Sequence, residues 1–89
     1  MSAIEEAAKL IQGERNDSYG HPLDNHTRTA ALWSAYLGTH ITAEQVCWMN
    51  VLQKISRTCN GVYHHDNIVD VCGFAGNVEM IHEERKKRT

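Results

Sequence analysis

The stretch from His64 to Asn77 constrains the fold of this chain more than any other, because its polar residues recur at a helical period. A set of acidic, small and amide residues lies at positions i, i+4, i+7 and i+11: Asp66, Asp70, Gly73 and Asn77. On an α-helix these positions share one face, and the remaining faces here are mainly apolar. Two carboxylates one turn apart repel each other unless a cation, a basic side chain or water compensates them. The stretch therefore predicts a core helix whose polar stripe either faces solvent or binds something.

Gly73 and Gly76 add a second constraint on the same stretch. Glycine costs roughly 1 kcal/mol relative to alanine in a helix interior. A helix that keeps two glycines is therefore expected to gain a close approach of its backbone to another helix or to a ligand. Packing against another helix is the simpler of these two explanations.

Three further segments have apolar residues at helical spacing, with capping residues before them and helix-stopping residues after them. They run from about Ala3 to Gln12, from Leu23 or Asp24 to Leu37, and from Thr42 to Asn60. The polar-striped helix described above is predicted to have its N-cap at His65 or Asp66. The chain is thus predicted to be all-α, a four-helix bundle in a single domain over residues 1–89 with a basic tail at 83–89.

The apolar residues of the third helix mark the side that is expected to face the core. This inward stripe consists of Val46, Met49, Leu52, Ile55 and Cys59. The large aromatic residues are interpreted as core or interface anchors, with the core preferred: Trp33, Tyr36, Trp48 and Phe74. A chain of 89 residues builds only a modest core, which is often supplemented by oligomerisation. We therefore expect a homo-oligomer.

The composition argues against several classes of protein. A formal net charge of −2 lacks the basic footprint of a nucleic-acid-binding protein, and the basic residues at 85–88 complement the C-terminal dipole of a helix. Three cysteines without a Cys-x-x-Cys pair indicate neither a disulfide framework nor a zinc ribbon. The sequence has no signal-peptide pattern and no run of about 18 apolar residues. We expect a cytoplasmic protein that does not contact a membrane.

A short basic row on the third helix is the counterpart of the acidic stripe. Lys54 and Arg57 share a helical face, and the helix that carries Asp66 and Asp70 follows after a short connection. The two rows are predicted to lie opposite each other, where the cations can hold an anion. As alternatives, Lys54 is an ordinary surface lysine and Asp66 caps its helix. Asp70, one turn further into the helix, has no capping explanation.

The polar segment from Glu14 to Pro22 precedes the second helix, and loops between rigid helices often carry binding residues. Tyr19 and His21 are suited to stacking on a base or binding a phosphate. Tyr19 is equally explained as a residue pinned against the bundle. Asp24 and Asn25 follow in the first turn of the second helix, where an acid such as Asp24 also caps free N–H groups.

Acids on one helix and cations on another suit a polyphosphate that is bound directly or bridged by Mg²⁺. The candidate Mg²⁺ ligands are Asp24, Asp66 and Asp70. The candidate ligand-binding residues are Tyr19, His21, Asn25, Lys54 and Arg57. If the ligand is hydrolysed, Asp66 or Asp70 is the catalytic group, either as a metal ligand or as the base for a water that attacks an α-phosphorus.

A Tyr-Gly loop, a Lys-x-x-Arg pair and an Asp-x-x-x-Asp-x-x-Gly helix occur together in this chain. They lie in four segments: Glu14 to Asn25, Ala31 to Gly38, Lys54 to Arg57 and His65 to Ala75. Over about Ala3 to Ile81 the chain resembles a family of small bacteriophage and prophage proteins. That family is in turn similar in pattern to the all-α nucleoside triphosphate pyrophosphohydrolases of the MazG type, which hold Mg²⁺ with acids on paired helices of an oligomeric bundle. The resemblance implies a nucleotide-directed role in phage infection, in the host cytoplasm.

The acids of this chain depart from the MazG-type pattern. Those enzymes carry Glu-x-x-Glu on one helix and Glu-x-x-Asp on another, whereas this chain offers Asp66-x-x-x-Asp70 and Glu14-x-x-Asp17. Because this chain has fewer of these acids, it offers fewer carboxylate ligands for a centre with two or three metal ions. Two alternatives to hydrolysis therefore stay open: a protein that sequesters a nucleotide without cleaving it, and a phage factor that binds a host protein and no nucleotide.

Overall fold

The computed structural model describes residues 1–13 and 19–89, and in these ranges the chain forms helices and no strands. The helices are α1 at Ala3–Gln12, α2 at Pro22–Leu37, α3 at Ala43–Ser56 and α4 at His65–Lys87. For the described part of the chain, the prediction of an all-α fold with four main helices is confirmed. None of the helices within these ranges is long and apolar enough to cross a membrane.

Local side-chain caps explain why most helix ends were predictable from the sequence. Ser2 and Glu5 form a capping box at the start of α1, and Thr42 and Gln45 form another at the start of α3. Gly38 ends α2 in the left-handed conformation, with φ at 70°, which suits a residue without Cβ. Helix α2 begins at Pro22, where the ring fixes φ and the missing N–H is not needed.

Three predicted helix ends were wrong by one to four residues. Helix α2 begins at Pro22 and not at Leu23 or Asp24. Helix α3 ends at Ser56 and not near Asn60, because residues 57–60 continue as turns in which Arg57 N–H already donates to the carbonyl of Lys54. The N-cap of α4 is His64, one residue before the predicted position, and it makes no side-chain capping hydrogen bond. The earlier end of α3 moves the start of the α3–α4 connection, the shift of the α4 N-cap moves its end, and the topology is unchanged.

Helix α4 is the central element, since α1, α2 and α3 all pack against it. The central cluster of the buried core consists of Ala43, Cys47 and Ile81, with Leu23, Phe74 and Val78 packed around them. The core is small, and the largest fully buried side chains in the described residues are Ile81, Val46 and Cys47. Burial raises the pKa of the Cys47 thiol to about 12, so this cysteine behaves as a small apolar residue and not as a nucleophile.

The side of α3 that was predicted to face the core faces outward. Met49, Leu52, Ile55 and Cys59 are exposed, and of the predicted stripe only Val46 is buried. The buried side of α3 instead carries Ala43, Val46 and Cys47. Of these, Ala43 and Cys47 pack with Ile81 of α4. Two predicted core aromatics are also exposed, Tyr36 and Trp48, whereas Trp33 and Phe74 are half-buried.

Gly73 and Gly76 let α1 approach α4 closely, as expected for glycines that are kept inside a helix. The side chain of Ile11 from α1 lies over both positions. A Cβ atom at Gly73 would meet Ile11 Cγ2 at 3.7 Å, an ordinary contact, whereas one at Gly76 would overlap Ile11 Cδ1. The close contact is therefore centred on Gly76.

Gly73→Ala and Gly76→Ala form a matched pair that tests this packing. At Gly73 the gain in helix propensity is expected to raise the free energy of unfolding by about 0.5–1 kcal/mol. At Gly76 the same gain is opposed by displacement of Ile11, which costs about 1–3 kcal/mol. Urea denaturation should therefore rank Gly76→Ala below Gly73→Ala by about 1 kcal/mol or more. Equal stability of the two variants would contradict the close contact at Gly76.

Candidate ligand-binding site

Lys54 and Asp70 form an ion pair across the α3–α4 contact, with Lys54 Nζ 2.8 Å from Asp70 Oδ2. Their side chains are only 16% and 26% exposed, so the pair is screened less by solvent than a surface pair. Lys54 lies near the end of α3 and Asp70 lies in the second turn of α4. The packing of these two helices thus brings the predicted basic and acidic rows together.

An open cleft of about 770 Å³ lies beside this ion pair. Its charged and polar lining includes Lys54, Arg57, His64, Asp66, Asn67 and Asp70. The volume falls within the range of about 300–1,000 Å³ that is typical of small-molecule sites. The cleft therefore has room for a ligand of nucleotide size and offers it cations, carboxylates and an amide.

Arg57 and Asp66 differ from Lys54 and Asp70 in having no ion-pair partner among residues 1–13 and 19–89. Both are exposed. Asp66 lies in the first turn of α4, where its charge favours the helix dipole, so part of its role is explained by the helix alone. Arg57 is the C-cap of α3, where a cation likewise complements the helix dipole, so part of its role is also explained by the helix alone.

Asp24 does not join Asp66 and Asp70. It is bound at both carboxylate oxygens by Arg88, with Oδ1 2.7 Å from Nη1 and Oδ2 3.1 Å from Nη2. Arg88 follows α4 at its C-terminal end, about 27 Å along the helix from Asp70 at 1.5 Å per residue. The structure therefore does not bring Asp24 together with Asp66 and Asp70, the other predicted Mg²⁺ ligands.

His21 is also engaged at the C-terminal end of α4. Its Nδ1 accepts a hydrogen bond from Leu23 N–H at 3.0 Å, and its Nε2 lies 3.8 Å from Glu84 Oε1. Arg88 hydrogen-bonds Glu84 as well as Asp24, and these bonds lower the pKa of both carboxyl groups. His21 and Asp24 thus belong to an ion cluster that ties α2 to α4, away from the cleft.

Tyr19 and Asn25 line a separate small pocket, which also includes His26 and Asn77. Its volume of about 40 Å³ suits an ordered water and not a nucleotide. Asn77 is buried, and its amide nitrogen lies 3.3 Å from His26 Nε2. Its Oδ1 has no hydrogen-bond partner among residues 1–13 and 19–89. Neither His26 nor Asn77 was predicted as a site residue, although Asn77 belongs to the polar stripe of α4.

The described residues bring together no group of three or more histidine, cysteine or acidic side chains suited to a metal ion. Glu14 and Asp17, the other acids considered in the sequence comparison with MazG-type enzymes, lie outside the described residues. The acids that the cleft itself contributes are Asp66 and Asp70. At a spacing of i and i+4 their Cβ atoms lie about 5–6 Å apart on one helical face.

Comparison with known proteins places this chain among bacteriophage proteins. Residues 2–86 match a family model described as a domain of unknown function, DUF6378. The chain belongs to this family. It is 46% identical over 83 residues to the Gene 55 protein of Mycobacterium phage D29 and 42% identical over 82 residues to the Gene 55 protein of Mycobacterium phage L5.

These alignments cover 93% and 91% of this chain but only 55% and 53% of the two relatives. The chain thus spans about half the length of the curated relatives that it matches. No solved structure matches it. The predicted membership in a family of small phage proteins is confirmed, while the relation to MazG-type enzymes stays a prediction.

Proposed function

We propose that this phage protein binds a nucleotide or a related phosphorylated ligand in the cleft between α3 and α4. The observation that supports this most directly is the position of Lys54 and Arg57 beside Asp66 and Asp70 in one open cleft of about 770 Å³. Lysine and arginine are the side chains that bind phosphate oxygens most strongly. The proposal places the ligand in the host cytoplasm, where nucleotides are abundant.

The burial of Lys54 favours a binding role over a purely structural one. Placing Lys54 and Asp70 at only 16% and 26% exposure costs desolvation that the attraction between their charges offsets only in part, so a tie between α3 and α4 alone gives little reason to place the pair beside an open cleft. The unpaired Arg57 adds a positive charge that no described acid neutralises. A phosphate in the cleft would receive charge-assisted hydrogen bonds from both cations.

Mg²⁺ fits the donor set of the cleft when part of its coordination comes from the ligand. Magnesium is usually held by one or two carboxylates together with phosphate oxygens and water, and Asp66 and Asp70 supply two carboxylates. Bound there, the ion would neutralise phosphate charge and polarise a phosphorus centre. The residues Tyr19, His21 and Asn25 lie outside this cleft and have no role in the proposal.

Hydrolysis is the second candidate function, and the pair Asp66 and Asp70 beside the two cations favours it. In that version the protein releases pyrophosphate from a nucleoside triphosphate, as the resemblance to MazG-type enzymes implies. Binding without cleavage requires only the cations and the cavity. Sequestration and hydrolysis both require that the nucleotide binds in the cleft, so binding is what we propose. Whether the bound nucleotide is also hydrolysed is tested separately.

A thermal-shift screen against nucleoside mono-, di- and triphosphates and cyclic nucleotides, with and without Mg²⁺, tests the proposal. We expect at least one of them to raise the melting temperature, because a ligand that binds only the folded state stabilises it by about 2.7 kcal/mol at a hundred times its dissociation constant. Lys54→Met should abolish the shift while keeping most of the apolar side chain. The matched control is Lys9→Met on the exposed face of α1, which should leave the shift intact.

Analysis of the nucleotide after incubation separates the two versions of the function. An intact nucleotide indicates sequestration, whereas a monophosphate and pyrophosphate indicate hydrolysis. A panel without any shift, or a shift that survives Lys54→Met, would contradict binding in this cleft. Capture of a host protein together with a negative screen would favour the protein-binding alternative.

A further inference from the structure

The exposed side of α3 is apolar and carries no charge. Its large apolar side chains are between 36% and 63% exposed: Trp48, Met49, Leu52 and Ile55. The other exposed residues of this helix are Gln45, Gln53 and Ser56. Its two charged residues, Glu44 and Lys54, are half-buried and bound to Arg85 and Asp70.

This composition differs from that of an ordinary solvated helix. A surface helix normally carries charged and polar residues on its outer side. The core of a protein interface is depleted of charges and enriched in aromatic residues and methionine. The outer side of α3 has the second composition, and we refer to Gln45, Trp48, Met49, Leu52, Gln53, Ile55 and Ser56 as the α3 face.

The spacing along the α3 face indicates what kind of element packs on it. Gln45, Trp48, Leu52 and Ile55 are separated by three, four and three residues. This alternation produces the narrow a/d seam through which one helix packs against another at a small crossing angle. A partner helix of similar length fits such a seam better than a sheet or an extended peptide.

We propose that the α3 face binds the α3 face of a second copy of this chain, with the two helices antiparallel about a two-fold axis. In an isologous contact each residue meets the same or the symmetry-related residue of the other copy. A charged face would repel itself in that arrangement, whereas the uncharged α3 face meets its copy without an electrostatic penalty. The axis passes near Leu52, and Trp48 of each copy packs against Ile55 of the other.

The area of the α3 face is sufficient for a reversible dimer. The four large apolar side chains of the face are 36–63% exposed, so at the roughly 150–250 Å² of a large aromatic side chain they present on the order of 400 Å². The exposed Gln45, Gln53 and Ser56 add a polar rim to this area. A standard interface buries about 800 Å² on each partner. We therefore expect dissociation in the micromolar range and not a permanent dimer.

The small core of one copy gives a second reason for pairing. The buried apolar residues in the described ranges are mostly small, and three alanines are among them: Ala7, Ala30 and Ala43. Small domains of limited core are often stabilised by oligomerisation. Burial of Trp48 and Leu52 at the dimer interface would increase the apolar surface area that is removed from water.

Sedimentation velocity from micromolar to several hundred micromolar protein tests this proposal. We expect a reversible monomer–dimer equilibrium, together with a melting temperature that rises with protein concentration. Leu52→Arg should raise the dissociation constant at least about 100-fold, because it places two like charges near the axis. Ile4→Arg is the matched control, since Ile4 is 71% exposed on α1 and lies outside the α3 face.

Mixing two variants makes the test independent of a folding defect. Leu52→Arg and Leu52→Glu should each be monomeric and helical by circular dichroism, and their equimolar mixture should recover a dimer through the opposite charges at the axis. A wild-type chain that stays monomeric throughout the range would overturn the proposal. So would a dimer that survives Leu52→Arg, or a face that pairs only with a different protein.

Discussion

Ile81→Ala is expected to lower the free energy of unfolding by about 2–5 kcal/mol, the range for truncating a buried isoleucine. Ile81 is completely buried and lies in the core cluster with Ala43 and Cys47. Its neighbours are small or already packed on other residues, so the cavity cannot collapse fully. Since small domains are stable by about 5–15 kcal/mol, this single change removes a large share of the total.

Ile4→Ala is the matched control for this prediction. It is the same substitution in a helix, but Ile4 is 71% exposed on α1, so its expected effect is within about 0.5 kcal/mol. Urea denaturation at one protein concentration, followed by circular dichroism, measures both variants without interference from self-association. Similar losses for the two substitutions would show that α4 is not the centre of the core.

Helix ends were predictable because their causes are local. The capping boxes at Ser2 and Thr42 need only a partner three residues further on, and Gly38 stops α2 through its own backbone conformation. The Lys54–Asp70 pair could be predicted for a similar reason, because two helices joined by a short connection pack side by side. A pattern of charges along each helix then determines which rows meet.

The orientation of α3 was not predictable from periodicity. Both of its sides carry apolar residues, with Val46 and Cys47 on one and Leu52 and Ile55 on the other. A hydrophobic stripe indicates that a surface will be covered, but it does not indicate whether the covering element belongs to the same chain. Here the side with small residues packs on α4, because Ala43 and Cys47 allow the two helices to approach closely.

The position of Asp24 was not predictable because its partner is 64 residues away in the chain. The basic residues after Glu84 were interpreted as complementing the helix dipole, which is a local effect. In the folded chain Arg88 reaches Asp24, and Arg85 reaches Glu44, where its hydrogen bond lowers the pKa of that carboxyl group. The end of α4 therefore serves as a tie to α2 and α3, and it holds Asp24 far along α4 from Asp66 and Asp70.

Asp70→Asn is expected to strengthen phosphate binding in the absence of a metal, although Asp70 lines the proposed site. The Asp70 carboxylate forms an ion pair with the Lys54 ammonium group at 2.8 Å. A phosphate that enters the cleft therefore competes with this carboxylate for Lys54. Asparagine keeps the shape of the side chain and removes the negative charge. The freed Lys54 should bind tripolyphosphate about 10-fold tighter or more, since a hydrogen bond to a charged group contributes about 1.5–3 kcal/mol.

With Mg²⁺ the sign of the effect should reverse. In the wild-type chain the Asp70 carboxylate can leave Lys54 and coordinate Mg²⁺. The ion is therefore expected to tighten the binding of tripolyphosphate. The Asp70→Asn variant lacks that carboxylate and should lose most of the response to Mg²⁺. Calorimetric titration in EDTA and in Mg²⁺ measures both affinities in one series.

Asp24→Asn provides the matched control for this reversal. It is the same substitution and also breaks an ion pair, the one with Arg88, but it lies about 27 Å along α4 from the cleft. Its affinity for tripolyphosphate should equal that of the wild type in both buffers. Weaker metal-free binding by Asp70→Asn, comparable to the loss in Lys54→Met, would instead mean that Asp70 holds Lys54 in position for the ligand. In that case the ion pair is part of the bound state, and competition for Lys54 does not control access to the cleft.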